Sequence, residues 1–140
     1  MKEHSYGIIP YRFNDGIEIL LYKSSKNSLW NFPKGKIEIG ESPIECVKRE
    51  MKEELFIGIN EELLQDPITI KGKNKDITLY FYHFTHKISQ WDKREIYKLK
   101  WFKLWDLPEL SKNQRLFLTE IYRKLEPLDF LLKGENCVYN

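Results

Sequence analysis

Alternating apolar and polar residues at the start of the chain predict a β-hairpin. Residues 6–13 and 17–22 are both strand-like, and Asn14-Asp15-Gly16 lies between them. Because Asp-Gly accepts the positive φ angles of a tight turn, we expect the two segments to pair as antiparallel strands. A third short strand is predicted at 30–32, followed by a loop over 34–40.

A helical period follows this loop. Ser42, Pro43 and Glu45 form a capping box with proline at the first helical position, which predicts the start of a helix. Apolar residues recur at spacings of three and four as far as Leu55, so one face of the helix should pack against the core. We expect the helix to end near Leu55.

The second half of the chain predicts further strands and one more helix. The strand-like segments are 68–71, 77–85 and 96–102. A helix is expected over about 111–126, where Ser111 and Gln114 indicate a second capping box and Pro127 indicates the end. This order of elements, without repeats or linkers, predicts an α/β fold in a single domain over 1–140.

Composition excludes several classes of protein. The 140 residues are 41% hydrophobic and 14% aromatic, which is enough for a core and excludes disorder over most of the chain. No apolar run approaches the roughly 20 residues that span a bilayer, and the start of the chain lacks the apolar block of a signal peptide. Because the two cysteines form no disulfide framework, we expect a cytoplasmic protein with no membrane partner. A formal net charge of +2 is also lower than that of a dedicated DNA-coating protein.

Three glutamates gather on one side of the first predicted helix. Glu50, Glu53 and Glu54 fall within an arc of roughly 100° near its C-terminal end, where the helix dipole also disfavours negative charge. A bound divalent cation would offset this repulsion, because hard cations such as Mg²⁺ take carboxylate oxygens as ligands. The alternative is an exposed face of mixed charge, neutralised by the basic residues between the acids.

The spacing around these glutamates resembles the Nudix box, G-x5-E-x7-R-E-U-x-E-E-x-G-U, where U is a bulky aliphatic residue. The match covers 35–57 and fills every charged position of the pattern. It reads Gly35, five residues, Glu41, seven residues, then Arg49-Glu50-Met51-Lys52-Glu53-Glu54. Phe56 departs from the pattern, because it stands where the box has its second glycine. Since that glycine helps to end the helix, we expect either a shifted exit or one further helical turn.

The resemblance to this family implies an α/β/α sandwich with a mixed β-sheet. It also implies hydrolysis of a nucleoside diphosphate linked to another group. By the same resemblance, Glu50, Glu53 and Glu54 would bind Mg²⁺ or Mn²⁺. Gly35 would allow the backbone to come close to the metal or the phosphate.

Catalytic roles also follow from the resemblance. Arg49 is expected to orient a catalytic carboxylate, Glu53 belongs to the catalytic set, and Glu41 braces the loop and the start of the helix. The general base remains open between Glu50, inside the box, and Glu95, which precedes the last predicted strand. For Glu95 the alternative is a solvated loop charge beside basic neighbours.

The residues just before the box indicate a substrate. Trp30-Asn31-Phe32-Pro33-Lys34-Gly35-Lys36 is similar to the W-x-F-P-K-G-K/H stretch of diadenosine polyphosphate hydrolases, and related stretches occur in enzymes that act on the 5′ end of RNA, including mRNA-decapping relatives. We therefore expect asymmetric hydrolysis of diadenosine tetraphosphate to ATP and AMP. The alternatives, in order, are removal of pyrophosphate or a cap from RNA 5′ ends, a nucleoside triphosphate pyrophosphatase, and a non-catalytic nucleotide-binding sensor.

Further residues are candidates for contact with this substrate. Lys34 and Lys36 would contact phosphates. Arg12 would either reach a phosphate or form a surface ion pair. Tyr80 and Tyr82 share one face of a predicted strand, so they would either stack on a nucleobase or pack together in the core.

Overall fold

The sheet is built around its first strand, β1 (Glu3–Phe13). In the computed structural model, which describes residues 2–138 and their side chains as far as Leu132, five more strands belong to this sheet. They are β2 (Ile17–Lys23), β3 (Lys34–Lys36), β4 (Leu64–Lys71), β5 (Lys75–His83) and β6 (Lys98–Lys103). The strand order is β4-β5-β1-β2-β6, and β3 pairs with β1. The sheet is mixed, because β1 and β5 run parallel while the other described pairs are antiparallel.

The predicted hairpin between β1 and β2 is confirmed. Phe13 pairs with Ile17 across the turn. Asp15 and Gly16 have φ angles of 51° and 100°, as a tight turn of this kind requires.

The prediction of a strand at 30–32 is wrong, and a strand lies just after it in the segment expected to be loop. The segment 30–32 makes only isolated bridges, because the backbone N–H of Phe32 donates to Oε1 of the Gln114 side chain at 2.6 Å. β3 forms instead, beside Gly7 of β1. A Cβ on Gly7 would overlap the carbonyl of Pro33, so the glycine is what allows the two backbones to meet.

The first helix, α1 (Pro43–Leu55), confirms the predicted boundaries and the capping box. The Ser42 hydroxyl accepts from the backbone N–H of Glu45 at 3.1 Å, and the Glu45 carboxylate accepts from the N–H of Ser42 at 2.9 Å. The helix ends at the position of the missing box glycine, because Phe56 itself takes the left-handed conformation with a φ of 56°. The exit is therefore neither shifted nor followed by another helical turn.

The second predicted helix is divided into α2 (Lys112–Arg115) and α3 (Leu118–Val138). The prediction of a second capping box is wrong, since the Ser111 side chain makes no cap hydrogen bond. Gln114 is buried, and its amide bonds to the backbone of Phe32 and the side chain of Asn31. A long-range contact has thus replaced the local cap.

Pro127 does not end the helix, contrary to the prediction, because α3 continues through it. The residues Leu125 and Asp129, on either side of the proline, are both buried. Asp129 Oδ1 accepts from the backbone N–H of Ile17 at 2.7 Å. These anchors hold the helix against the sheet and outweigh the hydrogen bond that proline removes.

Helices cover both faces of the sheet. Ile8 and Ile9 are neighbours in β1, so their side chains point to opposite faces. Ile8 packs in a buried core with Met51 of α1, whereas Ile9 packs in a second core with Phe117 and α3 residues such as Ile121. The α/β/α sandwich and its mixed sheet are therefore confirmed.

The predicted domain extends slightly beyond the described residues. Residues 1, 139 and 140 lie outside them, and Cys137 lies beyond the last side chain that is described. Within the described part, no helix is both long enough and apolar enough to cross a membrane.

Candidate active site

A cleft of about 650 Å³ opens beside β3, α1 and the loop before β6. Most of the predicted site residues line it: Lys34, Gly35, Lys36, Arg49, Glu50, Glu53, Glu54 and Glu95. The fold therefore brings three separate segments of the sequence to one place.

Arg49 is the centre of a network of carboxylates in this cleft. Its Nε and Nη2 donate to the two oxygens of Glu41, at 2.6 and 3.0 Å. Its Nη1 donates to Glu50 at 2.8 Å and to Glu53 at 3.3 Å, and Nη2 also donates to the carbonyl of Lys36 at 3.0 Å. Because the guanidinium donates to Glu41, the pKa of that carboxyl falls to about 2. Arg49 thus ties β3 and the following loop to α1.

The backbone of Gly35 lies directly against the carboxylate of Glu50. A Cβ at this position would overlap the carboxylate, so glycine is required for the approach. Cys46 is buried behind this contact and donates from Sγ to the carbonyl of Gly35 at 3.5 Å. Burial raises the pKa of the Cys46 thiol to about 12, which leaves it protonated and inert.

Glu54 is in a different environment from the other acids of the box. Its Oε2 is buried and has no hydrogen-bond partner among the residues that the structure describes. Burial, then the neighbouring charge of Glu50 and a hydrogen bond with it, and then the charge of Glu95 raise the pKa of the Glu54 carboxyl to about 8. A cation beside this carboxylate would supply the missing partner and favour its ionised form.

The loop before β6 carries Glu95 to the cleft. The backbone N–H of Asp92 donates to the carbonyl of Glu54 at 2.8 Å, which fixes this loop to the end of α1. The N–H groups of Glu95 and Ile96 both donate to the carbonyl of Asp92, at 3.2 and 2.9 Å. Glu95 is exposed, and its basic neighbour Arg94 pairs with Asp92 instead of with it.

Ammonium groups share the cleft with these carboxylates. Lys34 is half-buried, and its burial together with the nearby charge of Lys75 lowers the pKa of its ammonium to about 8. Lys36 is more exposed and pairs with Glu3 at 3.2 Å. Lysines beside a carboxylate cluster form an arrangement suited to a cation bound together with a phosphate chain.

Arg12 does not line the cleft. It donates to Glu18 at 2.7 Å and lies over the ring of Trp101, with its guanidinium carbon 4.1 Å from the ring centre. The surface ion pair, which was the alternative for this residue, is what the structure contains.

The two tyrosines of β5 do not line the cleft either. Tyr82 is only 1% exposed, and its hydroxyl bonds to Nε2 of His86 at 2.6 Å. A nucleobase cannot reach this ring, so of the two alternatives for Tyr82 the structure contains the packing in the core. Tyr80 is half-buried and packs against the same core. The face that these residues share points towards α1, because both belong to the core that contains Met51.

Sequence reasoning missed several residues of the cleft lining: Tyr22, Lys75, Asp92 and Arg94. Asp92 and Arg94 belong with Glu95 to the charged segment 92–95, so the sequence could have identified that whole segment as a candidate. Lys75 lies in the lysine-rich segment 71–75, where no sequence signal distinguished it from its neighbours. Tyr22 gave no signal, although burial and the charges of Glu54 and Glu95 raise the pKa of its phenol.

The donor set of the cleft fits a hard divalent cation. The Oε2 of Glu54, which has no hydrogen-bond partner among the described residues, leaves an oxygen atom for such an ion. The backbone of Gly35 lies close to the Glu50 carboxylate. In the described part of the chain, no three His, Cys, Asp or Glu side chains are already arranged as a metal site. Arg49 explains this, because it holds the carboxylates of Glu50 and Glu53.

Comparison with known proteins identifies one family and several relatives. A family model described as NUDIX domain matches residues 1–125. The mRNA-decapping enzyme subunit 2 of Saccharomyces cerevisiae (strain YJM789) is 29% identical over 150 residues, which cover 94% of this chain and 14% of the yeast protein. The mRNA decapping complex subunit 2 of Schizosaccharomyces pombe is 34% identical over 124 residues, which cover 81% of this chain and 16% of that protein. The chain thus corresponds to a small part of these curated relatives.

A solved structure shows the same fold over almost the whole chain. It is the crystal structure of a C. elegans Ap4A hydrolase binary complex, with a TM-score of 0.57 and 21% sequence identity. The match covers 98% of this chain and 97% of the nematode chain.

Proposed function

The chain belongs to the NUDIX domain family, and on that premise we propose that it is a metal-dependent hydrolase of phosphoanhydride bonds in nucleotide polyphosphates. The observation that best supports this is the environment of Glu54. Its buried Oε2 has no partner in the described residues, and it lies beside Glu50 in the cleft that also contains Lys34. A carboxylate oxygen without a partner is a ligand for a cation, and the neighbouring ammonium groups attract the phosphates that such a cation binds.

In this proposal, Glu50, Glu53 and Glu54 hold Mg²⁺ or Mn²⁺, and the backbone of Gly35 lies beside them. A cation bound there supplies positive charge for the phosphates and lowers the pKa of water. Arg49 limits the repulsion among the glutamates by donating to two of them. Glu41 holds Arg49 in turn through both of its oxygens.

We assign the general base to Glu95 rather than to Glu50. Glu50 already accepts from Arg49 at 2.8 Å, which makes it a weaker base. Glu95 is exposed at the cleft on a loop that is fixed to the end of α1, so it is available to take a proton from water. We expect Glu95→Gln to lower kcat by about 100-fold without weakening metal binding. If Glu95→Gln left kcat unchanged, the general base would be Glu50 instead.

Two substrates have specific support. Residues 30–36 favour diadenosine tetraphosphate, split asymmetrically to ATP and AMP, because they are similar to the corresponding stretch of diadenosine polyphosphate hydrolases. The 5′ end of RNA is the second candidate. It is supported by the relatives named as decapping subunits, which match over 94% and 81% of this chain.

A product assay tests the proposal and separates the two substrates. The purified chain is incubated with Mg²⁺ and, separately, with diadenosine tetraphosphate, triphosphorylated RNA, capped RNA and a panel of dNTPs, and the products are separated by chromatography. ATP and AMP as the fastest products would establish the first candidate, and preferential release of pyrophosphate or a cap would establish the second. EDTA should abolish turnover. Absence of turnover with every substrate would refute the proposal.

A further inference from the structure

The head group of Arg94 is loosely held at the edge of the cleft, outside the box. Its side chain is 90% exposed, whereas its partner Asp92 is only 13% exposed. Nε donates to Asp92 Oδ1 at 3.1 Å, and Nη2 donates to Oδ2 at 3.3 Å. A guanidinium has five N–H donors, so this single carboxylate leaves most of them facing water.

The backbone of Arg94, in contrast, is firmly placed. Its N–H donates to Oδ1 of Asp92 at 3.0 Å. The backbone N–H of Asp92 donates to the carbonyl of Glu54 at 2.8 Å, and the next turn is closed by Ile96, which is 1% exposed. Because the backbone is already fixed, only the side chain has to be ordered when Arg94 binds a ligand, which limits the conformational freedom that is lost.

Three other cations of the cleft are less available. Arg49 is engaged with the carboxylates of the box, and Lys36 pairs with Glu3 at 3.2 Å. Lys34, the first residue of β3, is half-buried. Arg94 is therefore the cleft-lining arginine whose planar fork can be presented to a new anion.

We propose that Arg94 is a substrate-binding residue that exchanges Asp92 for a phosphate group of the substrate's polyphosphate chain. The proposal rests on the proposed function, since a nucleotide polyphosphate is the ligand. A phosphate carries more negative charge than a carboxylate and accepts two parallel N–H bonds from a guanidinium. Asp92 is not left without a partner after the exchange, because its Oδ1 still accepts from the backbone N–H of Arg94.

The neighbouring residue provides a matched control for the test. Lys93 is exposed in the same loop but does not belong to the cleft lining. For the best substrate of the Mg²⁺-loaded chain, we expect Arg94→Gln to raise KM about tenfold with kcat nearly unchanged, while Lys93→Gln leaves both unchanged. Arg94→Lys should raise KM by about threefold, because an ammonium keeps the charge but loses the fork.

A binding measurement without hydrolysis separates this inference from the proposed function. Calorimetry with inorganic tripolyphosphate and no metal should show about tenfold weaker binding by Arg94→Gln than by Lys93→Gln. That result would support the role of Arg94 even if wild type hydrolysed no nucleotide. Equal effects of the two glutamine variants on KM and on tripolyphosphate binding would overturn the inference. So would a fall in kcat with KM unchanged, and in both cases wild-type turnover would leave the proposed function standing.

Discussion

Two glutamates of the same box, Glu41 and Glu54, lie in opposite environments. Glu41 accepts two hydrogen bonds from Arg49, and this donor brings the pKa of its carboxyl down to about 2. Glu54 has an oxygen without a partner in the described residues, and burial raises its pKa to about 8. Arg49 neutralises the charge of Glu41. The described residues supply no such partner for Oε2 of Glu54. We interpret the difference as the division between bracing the site and binding a ligand.

Removal of the Glu54 charge should have the largest effect. We expect Glu54→Gln to lower Mg²⁺-dependent kcat/KM by about a thousandfold, because it takes away a proposed metal ligand while keeping the shape of the side chain. Steady-state kinetics on the best substrate measure the change. Glu61→Gln, at an exposed acid in the turn before β4, is the control and should stay at wild-type activity. Full activity in Glu54→Gln would contradict the assignment of Glu54 as a metal ligand.

Disturbance of the braced side should have a smaller effect. Arg49→Lys keeps a positive charge but cannot donate to Glu41, Glu50 and Glu53 at once, so we expect kcat/KM to fall by about tenfold to a hundredfold. The melting temperature should also fall. The same change at Arg115, an exposed arginine near α3, is the control. If both variants kept wild-type kinetics, Arg49 would have no role in orienting the carboxylates.

The two environments also predict a pH dependence. Burial raises the pKa of the Glu54 carboxyl to about 8 in the folded protein, against an ordinary value of 4.5. Its favourable contribution to the free energy of unfolding is therefore complete below pH 4.5 and is lost as pH rises through 8. Without divalent cations, wild type should therefore lose stability relative to Glu54→Gln between pH 5 and 9. Mg²⁺ should raise the melting temperature more at pH 9 than at pH 6. Parallel curves for the two proteins, with and without Mg²⁺, would contradict the raised pKa of the buried Glu54 carboxyl.

The smallest expected effect lies at the end of α1, away from the charges. Phe56 holds a left-handed conformation with φ 56° and is 55% exposed. We expect Phe56→Gly to raise the free energy of unfolding by about 0.5–1 kcal/mol, because glycine takes this conformation without strain. Phe56→Ala keeps the strain and should give no gain. Chemical denaturation of the three proteins measures both, and equal stability would show that the helix exit is not strained.

Local signals account for the parts that the sequence predicted well. The boundaries of α1 follow from Ser42, Pro43 and Glu45, which act within one turn of each other. The gathering of Glu50, Glu53 and Glu54 follows from helical spacing alone. Such features depend on neighbours in the chain and therefore need no knowledge of the fold.

Long-range contacts account for the parts that could not be predicted. The strand expected at 30–32 is displaced because Gln114, 82 residues away, takes the N–H of Phe32. Pro127 is tolerated inside α3 because Asp129 is buried against Ile17. The period of two showed that Tyr80 and Tyr82 share a face, but only the packing of α1 on the sheet showed that this face is covered.

The most direct test of the central claim is the binding of Mn²⁺ to the pure protein, followed by electron paramagnetic resonance without nucleotide. If Glu54 is left for a cation, wild type and Glu61→Gln should bind Mn²⁺ equally, and Glu54→Gln should bind it at least tenfold more weakly. Equal binding by all three proteins would contradict the account, because the Glu54 carboxyl would then have no part in holding the metal.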